Sequence, residues 1–468
     1  MRALIRRVLM RRTYNAGHYA RARSHADRLL SIPHERLLAR SVVLRSYWNE
    51  EAFQALVSTG KDWDDEASIH LVGLATERLS GVASGPMHDQ RRQERWMNVC
   101  ASQPVPAVSI EWNAERMEAN FSQEGQRVWF RYPQGYVFWD MPERYELSST
   151  HPSLLCLTAE TLVFPWEPSA QSPFPSTRPY GHRGSLAFSA GVDSTAAALV
   201  MPDNTLLGYH RRSFDSMIDH RNAERLMLHL AEHQEREVVQ VTSNHELIRT
   251  HHGKPVGFSF DLACAAHLIL LADHHDLGAM AFGTPIDNTF LARGAKFRPF
   301  EVSPYFTYWT DRFAQAGLAL LLPVASITEG GALQIVKQSG WADHLNSCMR
   351  GDGVNGCGQC WKCFHKNGPL GRPFDINAPE IQQFLNKRPM PTATHALWAL
   401  QSMGLEDKVP DLAPLLEQDL GWWTQAYPPG FDLLPEPWRA SIEARVRDFL
   451  PLMPEPYALH NIDHFSDE

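Results

Sequence analysis

The strongest constraint on the fold is an alternation of strand and helix patterns that starts near residue 183. Short apolar runs typical of strands occur in SLAFS, NTLLGYH, EVVQVT and GAMAFGT. The segments between them have helical spacing, as in DSTAAALV, DSMIDHRNAERLMLHLAEH and FSFDLACAAHLILLADHHD. Strands and helices in alternation form a parallel sheet with helices on both faces. The sequence therefore predicts an α/β fold for residues 171–370, with a parallel sheet of about five strands.

Three further regions have sequence patterns that differ from that of this α/β domain. Residues 1–92 have helical spacing throughout, and their pairing resembles tetratricopeptide hairpins, although a packed helical cap explains it equally well. Residues 93–170 contain the aromatic segments AVSIEWN, RVWFRYP and GYVFWDMP, which predict a small antiparallel sheet. Residues 371–468 are punctuated by prolines and predict a helical C-terminal region.

The composition limits the classes of function. Hydrophobic residues make up 44% and charged residues 21% of the 468 residues, which is typical of a globular protein. The net charge of −9 argues against nucleic-acid binding by the whole surface. Residues 1–40 hold ten arginines and two acids, as an organelle transit peptide would or, in the interpretation we favour, as the outer face of a first helix. No apolar run has the length of a membrane span, so we expect a cytoplasmic protein without membrane contact.

The turn after the first predicted strand has the features of a phosphate-binding loop. It consists of Ser189, Ala190, Gly191, Val192, Asp193, Ser194 and Thr195. Small residues let the backbone approach a ligand, and the free N–H groups of a helix N-terminus attract an anion. A carboxylate beside phosphates is chemically reasonable if Asp193 holds Mg²⁺. The alternative is a simple helix cap by Asp193 or Ser194, but the strand–loop–helix context favours the phosphate site.

The segment SAGVDS resembles the SGGxDS motif of the PP-loop ATP pyrophosphatases, and it lacks the lysine of a Walker loop. The resemblance implies an adenine nucleotide alpha hydrolase-like fold, with Mg-ATP on the loop and with Asp193 and Ser194 as catalytic residues. Enzymes of this superfamily cleave ATP between the α and β phosphates and activate a carbonyl group as its adenylate. Ala190 stands where the family usually has glycine, a small change provided that its φ is negative.

The same resemblance implies roles for two more segments. The second predicted strand, LLGYHRRS, would help to hold the adenosine through Gly208, Tyr209 and His210. The fourth strand ends in FGTPIDNTFL, where Asp287 would face the phosphates. The alternative for Asp287 is an ordinary turn or helix-capping aspartate.

Four of the seven cysteines predict a metal site. Cys348, Cys357, Cys360 and Cys363 have the spacing C-x8-C-x2-C-x2-C, with glycines between them. Four thiolates can surround Zn²⁺ tetrahedrally, and a site with no open position is structural. Four thiolates also suit an iron–sulfur cluster, which is the less favoured alternative. His365 is a further candidate ligand, but the zinc site does not need it.

A PP-loop followed by this cysteine pattern resembles the 7-cyano-7-deazaguanine synthases of queuosine biosynthesis, over residues 183–370. Those enzymes convert a deazaguanine carboxylate into a nitrile with ATP and ammonia, and they carry a four-cysteine zinc site. Their DYGQRH and DYSGYPDC stretches are replaced by GYHRRS and PIDNTFLARGAKF, so the resemblance leaves the substrate open. In the second stretch, Arg293, Lys296 and Arg298 form either a grip for an acidic substrate or a solvated basic loop.

The sequence thus predicts an ATP-dependent, AMP-forming ligase that activates a small carboxylate or amide for C–N bond formation. A second hypothesis is the same chemistry on a protein or peptide partner that docks on residues 1–170. A third is a nucleotide-binding protein without turnover. Thiolation of tRNA is disfavoured because no cysteine has the context of a sulfur carrier and nucleic-acid binding is not expected. A homodimer is left open.

Overall fold

The computed structural model describes most of the chain. The described residues are 2–50, 52–80, 114–132, 135–166, 174, 177–213, 218–233, 236–251 and 256–464. The predicted strand AVSIEWN lies outside these residues. Within them, the sequence patterns can be compared with the elements that the chain forms.

An eight-stranded mixed sheet forms the centre of the molecule, in the order β1-β2-β3-β6-β5-β4-β7-β10. Its strands are β1 Phe121–Glu124, β2 Arg127–Tyr132, β3 Gly135–Asp140, β4 Arg183–Ala187, β5 Leu206–Arg212, β6 Val238–Ser243, β7 Leu277–Phe282 and β10 Ala319–Leu321. β8 Leu291–Ala292 and β9 Lys296–Phe297 form a separate pair. Strands β4, β5, β6, β7 and β10 run parallel, which confirms the predicted α/β class and its parallel sheet.

The aromatic hairpin strands extend this same sheet. β1, β2 and β3 pair antiparallel with one another, and β3 pairs antiparallel with β6 through Trp139–Ser243 and Asp140–Thr242. The residues predicted as a small antiparallel sheet are therefore continuous with the parallel strands. Strand β10 was not singled out by the sequence pattern, because its three residues are too few to show a periodicity.

Helices cover both faces of the sheet. The helices are α1 Arg2–Asn15, α2 Tyr19–Asp27, α3 Pro33–Asn49, α4 Phe53–Gly60, α5 Glu66–Ser80, α6 Pro152–Val163, α7 Val192–Val200, α8 Arg221–His233, α9 Ile248–His251, α10 Ala266–Leu270, α11 Pro304–Gln315, α12 Glu329–Gln338, α13 Pro379–Leu385, α14 Ala393–Met403, α15 Ala413–Leu416 and α16 Glu436–Phe449. Neighbouring residues of β5 point to opposite faces: Gly208 lies against Leu268 of α10, and Tyr209 donates to or accepts from His220, just before α8. Gly184 of β4 lies against Trp438, so α16 covers the same face as α8.

The C-terminal region packs on the sheet domain. One continuous apolar core extends from the parallel strands to residues of the C-terminal helices, such as Trp423 and Ile442. The five N-terminal helices, by contrast, bury their own clusters, one around Met10 and Tyr14 and another around Trp48. In the part of the chain that the structure describes, no helix combines the length and the apolar character that crossing a membrane requires.

A buried ion pair joins two helices on the sheet. The Arg312 side chain of α11 donates from Nε to Glu160 Oε2 of α6 at 2.8 Å, and Tyr308 donates its hydroxyl to the same carboxylate. Glu160 is fully buried and Arg312 nearly so. Removing one member of a buried pair leaves the other charge without its partner, which is more costly than replacing both by apolar groups.

We expect Arg312→Met to destabilise the protein by about 3 kcal/mol or more. The double variant Glu160→Leu/Arg312→Met should be more stable than Arg312→Met, because it leaves no unpaired buried carboxylate. Urea unfolding of the three proteins measures both effects. Equal or additive losses would contradict this interpretation of the pair.

Candidate functional site

The loop between β4 and α7 lies where parallel α/β sheets bind ligands. β4 pairs with β5 on one side and with β7 on the other, so the direction of chain progression across the sheet reverses beside β4. The crevice outside the carboxyl ends of the strands at such a reversal is the usual ligand site of open α/β sheets. The predicted phosphate loop, 189–195, starts two residues after the end of β4.

The loop's N–H groups are partly satisfied within the chain. The Ser189 N–H donates to Ser194 Oγ at 3.2 Å, and the Val192 N–H donates to Ser347 Oγ at 3.2 Å. The Gly191 N–H reaches Ser189 Oγ at 3.4 Å. Within the described residues, the N–H groups of Asp193 and Ser194 have no acceptor. Serine hydroxyl groups therefore accept three of the N–H groups that the sequence predicted to be free. The N–H groups of Asp193 and Ser194, in the first turn of α7, remain available to a ligand.

Ala190 departs from the sequence expectation. Its φ is +55°, in the left-handed region, whereas the sequence analysis required a negative φ for alanine to replace the family's glycine at no cost. The Cβ of a non-glycine residue in this conformation lies too close to the neighbouring carbonyl oxygen. The loop thus has the backbone conformation that favours glycine, and the alanine is held in it against its own preference.

The loops after β4 and β7 touch each other. A Cβ built on Gly283, just after β7, would lie 2.7 Å from the Cα atom of Ser194. Only a residue without a side chain permits this approach. The contact brings the segment that carries Asp287 beside the first turn of α7.

Asp287 is a buried residue at the base of the site. Its Oδ2 accepts the N–H of Glu329 at 3.0 Å, at the start of α12, and its Oδ1 has no partner among the described residues. Burial and the neighbouring Glu329 carboxylate raise the pKa of Asp287 well above its usual value. Asp287 thus binds the N-terminus of α12, as its alternative role of helix-capping aspartate predicted, and its role toward phosphates stays a prediction.

A buried lysine connects the phosphate loop to α12. Lys366 Nζ lies 2.7 Å from Asp193 Oδ1 and 2.7 Å from Glu329 Oε2. Burial opposes the charge of Lys366, but the two carboxylates raise its pKa above the usual lysine value. Burial also acts against the Glu329 charge, yet Lys366 and His365 hold the pKa of Glu329 well below its usual value. An ion pair therefore occupies the Asp193 carboxylate.

The three residues assigned to adenosine binding all lie within β5. Gly208 accepts the Phe188 N–H through its carbonyl oxygen at 2.8 Å, so it is one residue from the loop. Tyr209 shares a 2.6 Å hydrogen bond with His220. The Nδ1 atom of His210 lies 3.3 Å from Glu246 Oε1. The structure thus places Gly208 near the loop, and the side chains of Tyr209 and His210 in separate hydrogen-bonded groups.

The basic segment after β7 is paired within the chain. Lys296 forms an ion pair with Asp463 at 2.8 Å. Arg298 donates to the carbonyl oxygens of Thr289 and Asn288 at 2.6 and 2.8 Å. Arg293 has a φ of +54° and accepts the Thr392 N–H through its carbonyl oxygen. In this structure, Lys296 and Arg298 serve intramolecular contacts.

The four predicted cysteines converge into a site that can hold a metal ion such as zinc. The Sγ separations are 3.8 Å for Cys348–Cys360, 3.9 Å for Cys357–Cys363 and 3.6 Å for Cys360–Cys363. A tetrahedron with Zn–S bonds of about 2.3 Å has edges of about 3.8 Å, so the geometry fits one ion. An iron–sulfur cluster would place several atoms between the thiolates and separate them further.

Backbone amides support the charge of this cysteine set. The N–H groups of Arg350 and Cys357 donate to Cys348 Sγ at 3.3 and 3.2 Å. Such bonds favour the thiolate form and orient the ligand. His365 is outside the set, because its ring contacts Glu329 and Thr392 instead. The four-cysteine set therefore forms without His365.

A second group of metal-ligand types, Glu329, His365 and His395, has its ligand atoms within 4.8 Å of one another. The Trp423 indole, which can only donate, donates to His395 Nδ1 at 3.1 Å. The proton of neutral His395 is therefore on Nε2, which donates to the His365 carbonyl oxygen at 2.8 Å. A protonated nitrogen cannot ligate a metal, so this group is a hydrogen-bonded support for Lys366.

Comparison with known proteins gives one family match. Residues 308–458 match the model of a family described as a family of unknown function (DUF6395). The comparisons with curated proteins and with solved structures give no match. The matched range, about a third of the chain, contains the four cysteines, Glu329 and Lys366, and it does not contain the loop at 189–195.

Sequence reasoning missed Ser347, Glu329 and Lys366 as residues of this site. Lys366 is 173 residues from its partner Asp193, so no local pattern links the two. The signal available in the sequence was the basic segment WKCFHKN, which contains two lysines. Lys362 lies between Cys360 and Cys363, and Lys366 lies three residues after Cys363.

The backbone of Ala190 gives a stability prediction. Ala190→Gly should leave the free energy of unfolding unchanged or raise it by up to about 1 kcal/mol. Glycine removes the left-handed strain from the folded state, and this gain should equal or exceed the stabilisation of the unfolded state by glycine's greater chain entropy. The control Ala196→Gly, inside α7, should lower it by about 1 kcal/mol or more. Equal losses in the two variants by urea unfolding would show that Ala190 is unstrained.

The cysteine geometry predicts one tightly bound metal ion per chain. Cys360→Ser should reduce the metal content, measured by plasma mass spectrometry, to near zero, and it should destabilise the protein, since structural zinc contributes folding energy. Cys156→Ser, a buried cysteine outside the set, should keep the metal. Full metal content in Cys360→Ser would contradict the site.

Proposed function

We propose that this protein is an ATP-dependent, AMP-forming enzyme that activates a carboxylate or amide oxygen for C–N bond formation. The observation that carries the proposal is the loop at 189–195, at the reversal point of a parallel sheet, with two open N–H groups at the start of α7. An anion is the ligand that such a helix N-terminus favours. The parallel strand arrangement is also compatible with an adenine nucleotide alpha hydrolase-like fold.

The residues present fit the triphosphate of ATP. The open N–H groups of Asp193 and Ser194 can donate to phosphate oxygens, and the exposed Ser189 can add its hydroxyl. A phosphate oxygen can also replace the weak Ser189 hydroxyl contact to the Gly191 N–H, which is 3.4 Å long. The base of ATP would then extend toward β5, where Gly208 accepts the N–H of Phe188, the residue before the loop.

Asp193 is the residue suited to hold a magnesium ion with the phosphates. Mg²⁺ prefers oxygen ligands and usually combines one or two carboxylates with substrate phosphates. Its chemical contribution would be neutralisation of phosphate charge. The Asp193 carboxylate already attracts a cation, Lys366, and it keeps about a quarter of its side-chain surface exposed (28%). Both facts are compatible with a cation site that the solvent can reach.

The reaction balances as two displacements. An oxygen of the substrate carboxylate attacks the α-phosphorus, the bond between the α-phosphorus and the bridging oxygen breaks, and pyrophosphate leaves. An amine nitrogen then attacks the activated carbonyl carbon and AMP leaves, which gives an amide. A nitrile follows if the amide oxygen is activated in the same way and lost with AMP. The chain contributes positioning and electrostatic stabilisation, which are large terms for phosphoryl-type transfers.

The four-cysteine site has a structural part in this proposal. All four coordination positions would be filled by sulfur, so zinc there would have no position for a substrate. The carboxylate substrate is proposed only by class. A 7-deazaguanine carboxylate belongs in the test panel because of the resemblance of the PP-loop and cysteine motifs, together with other small carboxylates and peptides.

The test is the fate of ATP with a panel of carboxylates and ammonia. We expect AMP and pyrophosphate in equal amounts, with no ADP. Asp193→Asn should lower the rate by about 100-fold, as expected for a residue that organises transition-state charge. Ser194→Ala should lower it by about tenfold, for the loss of a hydrogen bond to a charged group.

Two exposed positions provide matched controls. Asp311→Asn and Ser148→Ala make the same chemical changes away from the loop and should keep the wild-type rate. Production of ADP would contradict adenylation. Nucleotide binding without any AMP from the panel would favour a nucleotide-binding protein without turnover, and a mass adduct on a protein or peptide would favour protein modification.

A further inference from the structure

The segment that carries the four cysteines contacts the phosphate loop at both ends. Ser347, one residue before Cys348, accepts the Val192 N–H at 3.2 Å. Lys366, three residues after Cys363, contacts Asp193 at 2.7 Å. The loop at 189–195 thus touches residues that immediately flank the metal ligands on either side.

The segment has little regular structure to fix these groups. Between Ser347 and Trp361 the chain forms bends but no helix or strand, and Cys363–Asn367 is a single π-helical turn. Asn222 of α8 holds it by donating to the Cys348 carbonyl oxygen at 2.8 Å. A metal ion bound by four thiolates would add a further constraint on how Ser347 and Lys366 are placed.

The charges explain why the phosphate loop needs this support. The polyphosphate of ATP is strongly anionic, and Asp193 would repel it without a cation nearby. Lys366 supplies positive charge at the loop, and Ser347 accepts the first N–H of α7. The loop alone provides N–H groups and hydroxyls, but no cation.

We propose that Ser347 and Lys366 form the second half of the phosphate site, and that metal binding at the four cysteines is coupled to nucleotide binding. The inference rests on the proposed function, because the ligand is the triphosphate of that reaction. Coupling between two sites is reciprocal: metal strengthens nucleotide binding by the same factor as nucleotide strengthens metal binding. We expect a factor of about ten or more, within the usual range for coupled sites.

The test uses the purified zinc-bound protein and α,β-methylene-ATP, an analogue that cannot be cleaved between the α and β phosphates. The rate of zinc release to a chromogenic chelator should fall about tenfold or more with saturating analogue and Mg²⁺. Calorimetric titration should show the analogue binding more weakly, by a similar factor, to protein depleted of zinc, and zinc addition should restore the affinity. Equal release rates with and without bound analogue would overturn the coupling.

Point variants distinguish a role of Ser347 and Lys366 in nucleotide binding from a role in folding alone. Lys366→Met and Ser347→Ala should keep one zinc per chain, weaken analogue binding about tenfold and reduce the effect of the analogue on zinc release. Lys337→Met, an exposed lysine of α12, is the matched control and should behave as wild type. Wild-type analogue affinity in Lys366→Met would overturn the role of this lysine.

The outcomes distinguish this inference from the proposed function. If the analogue binds the zinc-bound protein but does not affect zinc release, the coupling is wrong and the ATP site stands. If the zinc-bound protein does not bind the analogue at all, both the proposed ATP site and the coupling are wrong.

Discussion

The Lys366 ammonium between Asp193 and Glu329 is the interaction on which the rest of the site depends. It joins three parts of the fold: the loop at 189–195, the start of α12 and the segment of the four cysteines. A buried charge is tolerated only when it is paired, and here each carboxylate satisfies the same cation. The hydrogen-bonded histidines behind Glu329 hold that carboxylate in place.

In the proposed function, this arrangement would connect the four-cysteine site to the nucleotide, which a zinc ion with four sulfur ligands does not do by itself. Four thiolates leave no coordination position for a substrate, but they can fix the residues between and beside them. Ser347 and Lys366 are such residues, and both contact the loop at 189–195. The proposed nucleotide site is therefore composite, with amides and hydroxyls from one segment and cations from the other.

The sequence predicted the features that depend on local patterns. Strand and helix alternation gave the parallel sheet, and the cysteine spacing gave a tetrahedral sulfur set. It failed where the outcome depends on tertiary contacts: the positive φ of Ala190, the occupation of Ser189 and Val192 amides by hydroxyls, and the pairing of Asp193 with Lys366. Partners more than 150 residues apart leave no trace in spacing or periodicity.

The most direct measurement is a crystal structure of the zinc-bound protein grown with α,β-methylene-ATP and Mg²⁺. The central claim predicts phosphate oxygens within hydrogen-bond distance of the Asp193 and Ser194 amides, with the Lys366 ammonium on the phosphates or on the Asp193 carboxylate beside them. A structure with the analogue bound elsewhere, and with the 189–195 loop unchanged and without phosphate contacts, would contradict it.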